Sequence, residues 1–103
     1  MIIAVGQDER ITLEQAMDFR AFKVTVPWLS RDAARLAWAF KGLGQPDGVE
    51  HVWIDEAALR ALGPRDDQAW QDGLTAMIGY AEKHGWVEPG TGAVRAHVEW
   101  TAA

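Results

Sequence analysis

The most constraining feature of the sequence is an amphipathic helix that is followed by a glycine stop and an alternating strand. Its apolar residues follow the i, i+4, i+7, i+8, i+11 spacing of one helical face: Trp70, Leu74, Met77, Ile78 and Ala81. Asp66 or Asp67 is expected to cap the first turn, and Gly85 is expected to end the helix in a left-handed conformation. Because such a stripe must be buried, the chain needs a second apolar layer opposite this helix.

The residues after this helix predict a β-hairpin whose second strand has two different faces. Pro89, Gly90 and Gly92 are typical of a hairpin turn. Beyond the turn, one alternating set consists of Val94, Ala96, Val98 and Trp100, and the other consists of Arg95, His97 and Glu99. Since successive side chains of a strand point to opposite faces, the first set is expected in the core and the second on the other face.

Other turn, cap and periodicity signals complete a predicted order of β-α-β-α-β-α-α-β-β. They comprise a strand over 2–5, a helix from Thr12 with a capping box to Gln15, a strand over 22–26, a helix capped by Ser30, a turn over 45–48, a strand over 49–54 and a short helix capped by Asp55. This order predicts one α+β domain spanning 1–103. Its single sheet is expected to be mostly antiparallel, with helices packed on one face and the other face left for solvent, a ligand or a second subunit.

Composition and charge argue against several classes of function. The 10 basic and 15 acidic residues give a net charge of −5, which disfavours a nucleic-acid partner because phosphate binding depends on clustered cations. The chain has no cysteine, which excludes disulfides and a cysteine nucleophile and favours a cytoplasmic location. No stretch approaches the ~18 apolar residues that span a bilayer, and the first ten residues contain no basic signal segment, so we expect neither membrane insertion nor secretion.

The main candidate site lies on the free face of the predicted sheet. If Val52 and Ile54 face the helices, five residues capable of chemistry face away from them: His51, Trp53, Arg95, His97 and Glu99. We predict His51, His97 and Glu99 as catalytic, because an imidazole beside a carboxylate can transfer protons near neutral pH. Trp53, Arg95 and Asp55 are predicted to bind the ligand. Alternating polar residues on a solvated face give the same pattern, so a purely structural role is the alternative.

Other kinds of catalytic site find little support in the sequence. His51, His97 and either Asp55 or Glu99 would make a two-histidine, one-carboxylate triad, but no HxH or HExxH motif is present, so we predict no metal. The glycines between residues 42 and 48 lack GxGxxG spacing and precede a strand, so we predict no nucleotide cofactor. Ser30, the only serine, is expected to cap a helix. The predicted site is therefore independent of cofactors.

Two classes of function follow from the free sheet face. Six tryptophans are more than a core of this size is expected to hide, so one or two of them should lie at a contact surface. In the first class, a homodimer pairs its free faces around a tryptophan-lined pocket, which binds a small organic molecule or acts on it by histidine acid/base chemistry. In the second class, the face is a non-catalytic protein-interaction or oligomerisation surface anchored by Trp28, Trp53 or Trp86.

A third class of function follows from a resemblance. The segment EKHGWVEPGTGAVRAHVEW, a helix end followed by a hairpin, resembles the recognition helix and wing of winged-helix DNA-binding domains. The resemblance implies that this helix binds DNA. The helix departs from the pattern in its charge, because Asp66, Asp67, Asp72 and Glu82 outnumber Lys83, and an acidic surface repels phosphate.

Overall fold

The computed structural model describes residues 1–102, which form six strands and three helices. The strands are β1 (Ile2–Val5), β2 (Ile11–Glu14), β3 (Lys23–Val26), β4 (Gly44–Asp47), β5 (His51–Ile54) and β6 (Val94–Trp100). The helices are α1 (Ala33–Ala39), α2 (Glu56–Leu62) and α3 (Gln68–Lys83). Across these residues, no helix combines the length and hydrophobicity that crossing a bilayer requires. The predicted α+β class is confirmed, although the order of elements differs from the predicted one.

All six strands belong to one open sheet in the order β2-β1-β3-β6-β5-β4. The β1–β3 and β3–β6 pairings are parallel, whereas the other three are antiparallel. The sheet is therefore mixed, and the predicted mostly antiparallel sheet is wrong. The physical reason is that all three helices lie in the crossover between β3 and β6, and local residue patterns do not encode the direction of such a distant pairing.

β2 occupies the segment in which the sequence predicts a helix from Thr12, so that prediction is wrong. Ile11 and Leu13 are half-buried whereas Thr12 and Glu14 are exposed, which is the alternation of a strand. The segment pairs antiparallel with β1, and Gln15 then adopts a positive φ of 48°, which a helix does not tolerate. The capping-box pattern misleads here because pairing with β1 stabilises these residues more than an isolated helical turn would.

One hydrophobic core lies between one face of the sheet and the three helices. α3 buries the whole predicted stripe, which is confirmed: Trp70, Leu74, Met77, Ile78 and Ala81. The sheet contributes Ile3, Val5, Val24, Val26, Val52, Ile54, Val94, Ala96 and Val98. The indole N–H of the fully buried Trp70 donates to the Ala16 carbonyl at 2.9 Å, so the connection between β2 and β3 is fastened to α3.

Aspartate side chains cap all three helices, and two of these caps are the predicted ones. Asp67 caps α3 and Asp55 caps α2. α1 begins after Asp32, whose carboxylate accepts from two backbone N–H groups, so the predicted Ser30 cap is wrong. Trp38 of α1 is 68% exposed, and Leu36 is the only fully buried residue of this helix.

The predicted turn over 45–48 lies later in the chain than expected. Gln45, Pro46 and Asp47 belong to β4, which is an edge strand and therefore tolerates a proline. The chain reverses at Gly48, whose φ of 64° is readily adopted by glycine. β5 consequently starts at His51 rather than at residue 49.

α3 ends in a Schellman motif that fixes the position of Trp86. Gly85 has a φ of 74°, and its N–H donates to the Glu82 carbonyl at 3.1 Å. The Trp86 N–H donates to the Ala81 carbonyl at 2.9 Å, which completes the motif. The indole therefore follows the helix at a defined angle.

The hairpin after α3 forms with a shorter first arm than the sequence predicts. That arm is a single bridge between Val87 and Val94, supported by a 2.8 Å hydrogen bond from the Arg95 N–H to the Trp86 carbonyl. β6 is an interior strand that lies between β3 and β5. It is therefore no free wing, and the winged-helix resemblance does not extend to the fold.

Candidate functional site

The sheet face opposite the helices, here called the open face, carries the predicted chemical groups. It presents His51, Trp53, Arg95, His97 and Glu99, which alternate in β5 and β6 with the buried core residues. His51, Trp53 and Arg95 are half-buried, whereas His97 and Glu99 are exposed. The two strands are direct neighbours, so the structure places all five groups on one continuous surface.

The centre of the open face is a pair of histidines. His51 and His97 lie directly opposite each other in the antiparallel β5–β6 pairing, with ring centroids 5.8 Å apart and planes at 65°. The Val98 N–H donates to the Glu50 carbonyl just beyond them, so they form a non-hydrogen-bonded pair, the kind in which side chains approach most closely. In residues 1–102, His84 is the only histidine whose ring nitrogen is hydrogen-bonded to the protein. The nitrogens of the pair are therefore available to a ligand.

A depression of about 230 Å³ adjoins the histidine pair. It is lined by Phe22, His51, Trp86, Arg95 and His97. Arg95 forms none of the ion pairs within residues 1–102. The depression thus combines a guanidinium and two imidazoles with two aromatic walls, and it suits an organic molecule with a polar end.

The two aromatic walls come from two segments that pair with the same edge of β6. The first part of β6 is bonded to the segment that begins at Trp86, and its later part pairs with β3, which starts directly after Phe22. The two aromatic residues therefore meet beside Arg95. Sequence reasoning assigned Phe22 only to a strand and Trp86 only to a protein-interaction surface. The glycine stop at Gly85 is the one local signal that would have located Trp86.

Trp53 lies on the open face but does not line the depression. Its cross-strand partners are Arg95 on β6 and Gln45 on β4. The wall that the sequence assigns to Trp53 is provided by Trp86, which is 37% exposed at the other side of Arg95. Trp53 instead extends the open face toward the β4 edge.

Glu99 is engaged by a lysine rather than by a histidine. The Lys23 ammonium donates to a Glu99 carboxylate oxygen at 2.7 Å. This hydrogen bond and the lysine charge hold the pKa of Glu99 below its ordinary value of 4.5, and the His97 side chain lowers it further. The carboxylate is hydrogen-bonded to Lys23, and no hydrogen bond joins it to an imidazole within residues 1–102.

Asp55 caps α2 and does not line the depression. Its carboxylate accepts from the Ala58 N–H at 2.9 Å and caps α2. Its own N–H donates to the Leu43 carbonyl at 2.8 Å, which holds the end of β5 in place. The structure thus places this predicted ligand-binding residue at a helix start, outside the lining of the depression.

Among residues 1–102, the histidine pair has no third ligand for a metal ion. Within the part of the chain that the structure describes, no group of three histidine, aspartate or glutamate side chains is arranged to hold a metal. The nearest carboxylate along β6, Glu99, is paired with Lys23. What the site offers is hydrogen-bond donors, a positive charge and aromatic surface.

Comparison of the chain with protein-family models, with curated proteins and with solved structures found no match in any of the three.

Proposed function

We propose that the open face binds a small organic anion in the depression beside the histidine pair. Arg95, His51 and His97 are the polar contacts of this site, and Phe22 and Trp86 are its walls. The observation that carries the proposal is the convergence of Arg95, which forms no ion pair within residues 1–102, and two adjacent imidazoles on one depression, in a chain of net charge −5. Such a local concentration of donors favours an anion over a neutral or cationic ligand.

The chemistry of the donors indicates a carboxylate as the recognised group. A guanidinium presents parallel N–H groups that match the two oxygens of a carboxylate. Each imidazole adds an N–H donor in its neutral or protonated form. The planar side chains of Phe22 and Trp86 then favour a ligand whose carboxylate is attached to an apolar or aromatic body.

Catalysis is an extension of this binding function. An imidazole beside a bound carbonyl compound is placed to accept a proton and return it, so His51 or His97 would be the acid/base group. No carboxylate orients either ring within residues 1–102. The proposal therefore concerns binding. Turnover of a carbonyl substrate would require an imidazole to transfer a proton in addition to binding.

Titration with benzoate, followed by tryptophan fluorescence, tests the proposal. Quenching is expected to saturate, and the Arg95→Ala and His97→Ala variants are expected to bind at least about tenfold more weakly, as the loss of a charged hydrogen bond predicts. Arg65→Ala is the matched control, because Arg65 is exposed and lies outside the depression. Equal affinity of the three variants and the wild-type protein would refute the site.

A second candidate function, self-association through the open face, is favoured by the apolar part of that face. Trp53 is half-buried there, as are Ile2, Ala4 and Thr25, so a second copy would gain apolar burial on docking. Sedimentation equilibrium at micromolar concentration tests this candidate. A dimer that dissociates on Trp53→Glu would support it, and a monomeric wild-type protein would exclude it.

A further inference from the structure

Two further cavities lie between the depression at the histidine pair and the surface of α3. A second cavity of about 110 Å³ shares Phe22, Trp86 and Arg95 with it, and is also lined by Phe19, Arg20, Met77, Tyr80, Ala81 and Val94. A third, of about 530 Å³, shares Phe19, Arg20, Met77 and Tyr80 with the second and adds Gly73 and Ala76. The three cavities, which are linked through these shared lining residues, are here called the trough; it starts on the open face and ends along α3.

The chemistry of the trough changes from one end to the other. The two imidazoles and Arg95 lie at the open-face end. The middle is lined by aromatic rings, and the far end by the small and apolar surface of α3 at Gly73, Ala76 and Met77. The exposed Arg20 borders both of these parts. The trough follows α3 from Ala81 back to Gly73, a distance of about 12 Å at the helical rise. It therefore offers an end with three polar side chains and a long, mainly apolar groove with Arg20 at its border.

Contacts within the protein hold the aromatic wall at the middle of the trough. The His84 ring stacks on Trp86 at 4.8 Å and lies 4.3 Å from the Tyr80 ring, measured between centroids. The Nδ1 atom of His84 lies 3.0 Å from the Tyr80 carbonyl oxygen, and the Schellman motif fixes Trp86. Tyr80 nevertheless remains 60% exposed, so this wall has apolar surface still to bury.

The opposite wall is held by contacts with α3. Phe19 lies against Gly73, where an added Cβ would approach the phenyl ring within 2.4 Å. The Trp70 indole fastens the same loop through the Ala16 carbonyl. Glycine at position 73 thus allows Phe19 to lie close to the helix and to border the groove. A ligand entering the trough meets two preformed walls, which lowers the entropic cost of binding.

We propose that the ligand of this site is an amphipathic monocarboxylate, whose carboxylate binds Arg95 and the histidine pair while its unbranched apolar tail lies in the trough along α3. This inference rests on the proposed binding function and specifies the class of its ligand. The positive charge of Arg95, which no ion pair within residues 1–102 neutralises, selects the carboxylate. The groove at Met77, Ala76 and Phe19 selects the tail.

Isothermal titration with acetate, butanoate, hexanoate and octanoate tests the inference. Affinity is expected to rise about threefold to fourfold for each methylene that the trough buries, starting from weak binding of acetate. Ala76→Phe fills the groove from an exposed helical position, so it is expected to abolish this rise while leaving acetate binding unchanged. Ala69→Phe makes the same substitution on α3 outside the cavity linings and is expected to keep the rise. Measuring the melting temperatures of both variants would check that they are folded.

The outcomes separate failure of the inference from failure of the proposed function. If short and long carboxylates bind with equal affinity and all depend on Arg95, the binding function stands and the tail groove is wrong. A rise with chain length that Ala76→Phe leaves intact also overturns the groove, because the tail then lies elsewhere. If no carboxylate binds, or binding survives Arg95→Ala, both the function and the inference fail.

Discussion

The two faces of the sheet are formed by alternate residues of the same strands, and they differ in burial. On the helix-covered face, Val52 and Ala96 are fully buried in the core. On the open face, their sequence neighbours His51 and His97 are reachable by solvent and lie opposite each other. The alternation of side chains along β5 and β6 therefore places the core residues on one face and the candidate site on the other. His97 is flanked along β6 by the buried Ala96 and Val98, and His51 is followed by the buried Val52. The packing of the core therefore holds the histidine pair in place.

The two faces also differ in what a side chain contributes to stability. Burying a large apolar side chain stabilises a protein by about 1.5 to 3 kcal/mol, whereas exposed ion pairs contribute little. The covered face holds the aliphatic core, and the open face holds the Lys23–Glu99 ion pair and the histidines. The covered face should thus determine folding and the open face should determine binding, and substitutions on each face test this difference.

The largest contrast is expected between two tryptophans. Trp70→Ala removes a fully buried indole and its hydrogen bond to Ala16, and should lower the free energy of unfolding by about 3 to 5 kcal/mol. Trp53→Ala removes a half-buried cross-strand neighbour of Arg95 on the open face and should cost no more than about 1 kcal/mol. Urea unfolding measures both. Similar decreases in the free energy of unfolding of the two variants would show that the open face also stabilises the fold.

A smaller effect on the covered face is expected at Gly63. A Cβ at this position would lie 2.3 Å from the Trp70 ring, which is fully buried and has no room to move. Gly63→Ala should therefore lower the free energy of unfolding by about 1 to 3 kcal/mol through overpacking. The same urea measurement tests it, and an unchanged unfolding midpoint would mean that α2 and α3 adjust freely around Trp70.

Gly79 is the control for Gly63, because an added Cβ at Gly79 would meet no other atom of the described residues. It lies inside α3, and nothing stands within 4 Å of an added Cβ. Gly79→Ala should raise the free energy of unfolding by about 1 kcal/mol, because alanine favours the helix. Thermal unfolding would show an increase in Tm. A decrease would indicate that the α3 surface at this position packs against something, such as a second copy of the chain.

The smallest effect is expected from the ion pair on the open face. Lys23→Met removes the hydrogen bond and charge that lower the pKa of Glu99, so this pKa should rise toward 4.5. Because the folded state lowers the pKa, the stabilisation from Glu99 is present above 4.5 and is lost as the pH falls through the folded value. Carboxyl ¹³C NMR measures the shift. An unchanged pKa in the variant would mean that Lys23 does not pair with Glu99 in solution.

The features that the sequence predicted correctly depend on short-range periodicity. The buried stripe of α3 follows from helical spacing, and the common face of His51 and His97 follows from alternation within two strands. The start of α2 at Asp55 follows from a local cap. In each case the information lies within a few residues.

The features that the sequence missed depend on which distant segments become neighbours. β2 is a strand because β1 lies beside it, and the sheet is mixed because β6 returns parallel to β3. The same parallel pairing brings Lys23 to Glu99, an ion pair that the sequence analysis did not predict. It also brings Phe22 beside Trp86 to form the depression. No periodicity encodes these contacts, since they arise only when the sheet is assembled.

Histidine-ring NMR during a benzoate titration tests the proposed anion site at its own residues, because it observes the open face itself. The Cε1–H resonances of His51 and His97 are expected to move together with one dissociation constant, and Arg95→Ala should raise that constant at least about tenfold. If both resonances stay fixed at saturating benzoate, or if the dissociation constant is the same in the Arg95→Ala variant, the open face is not the anion site.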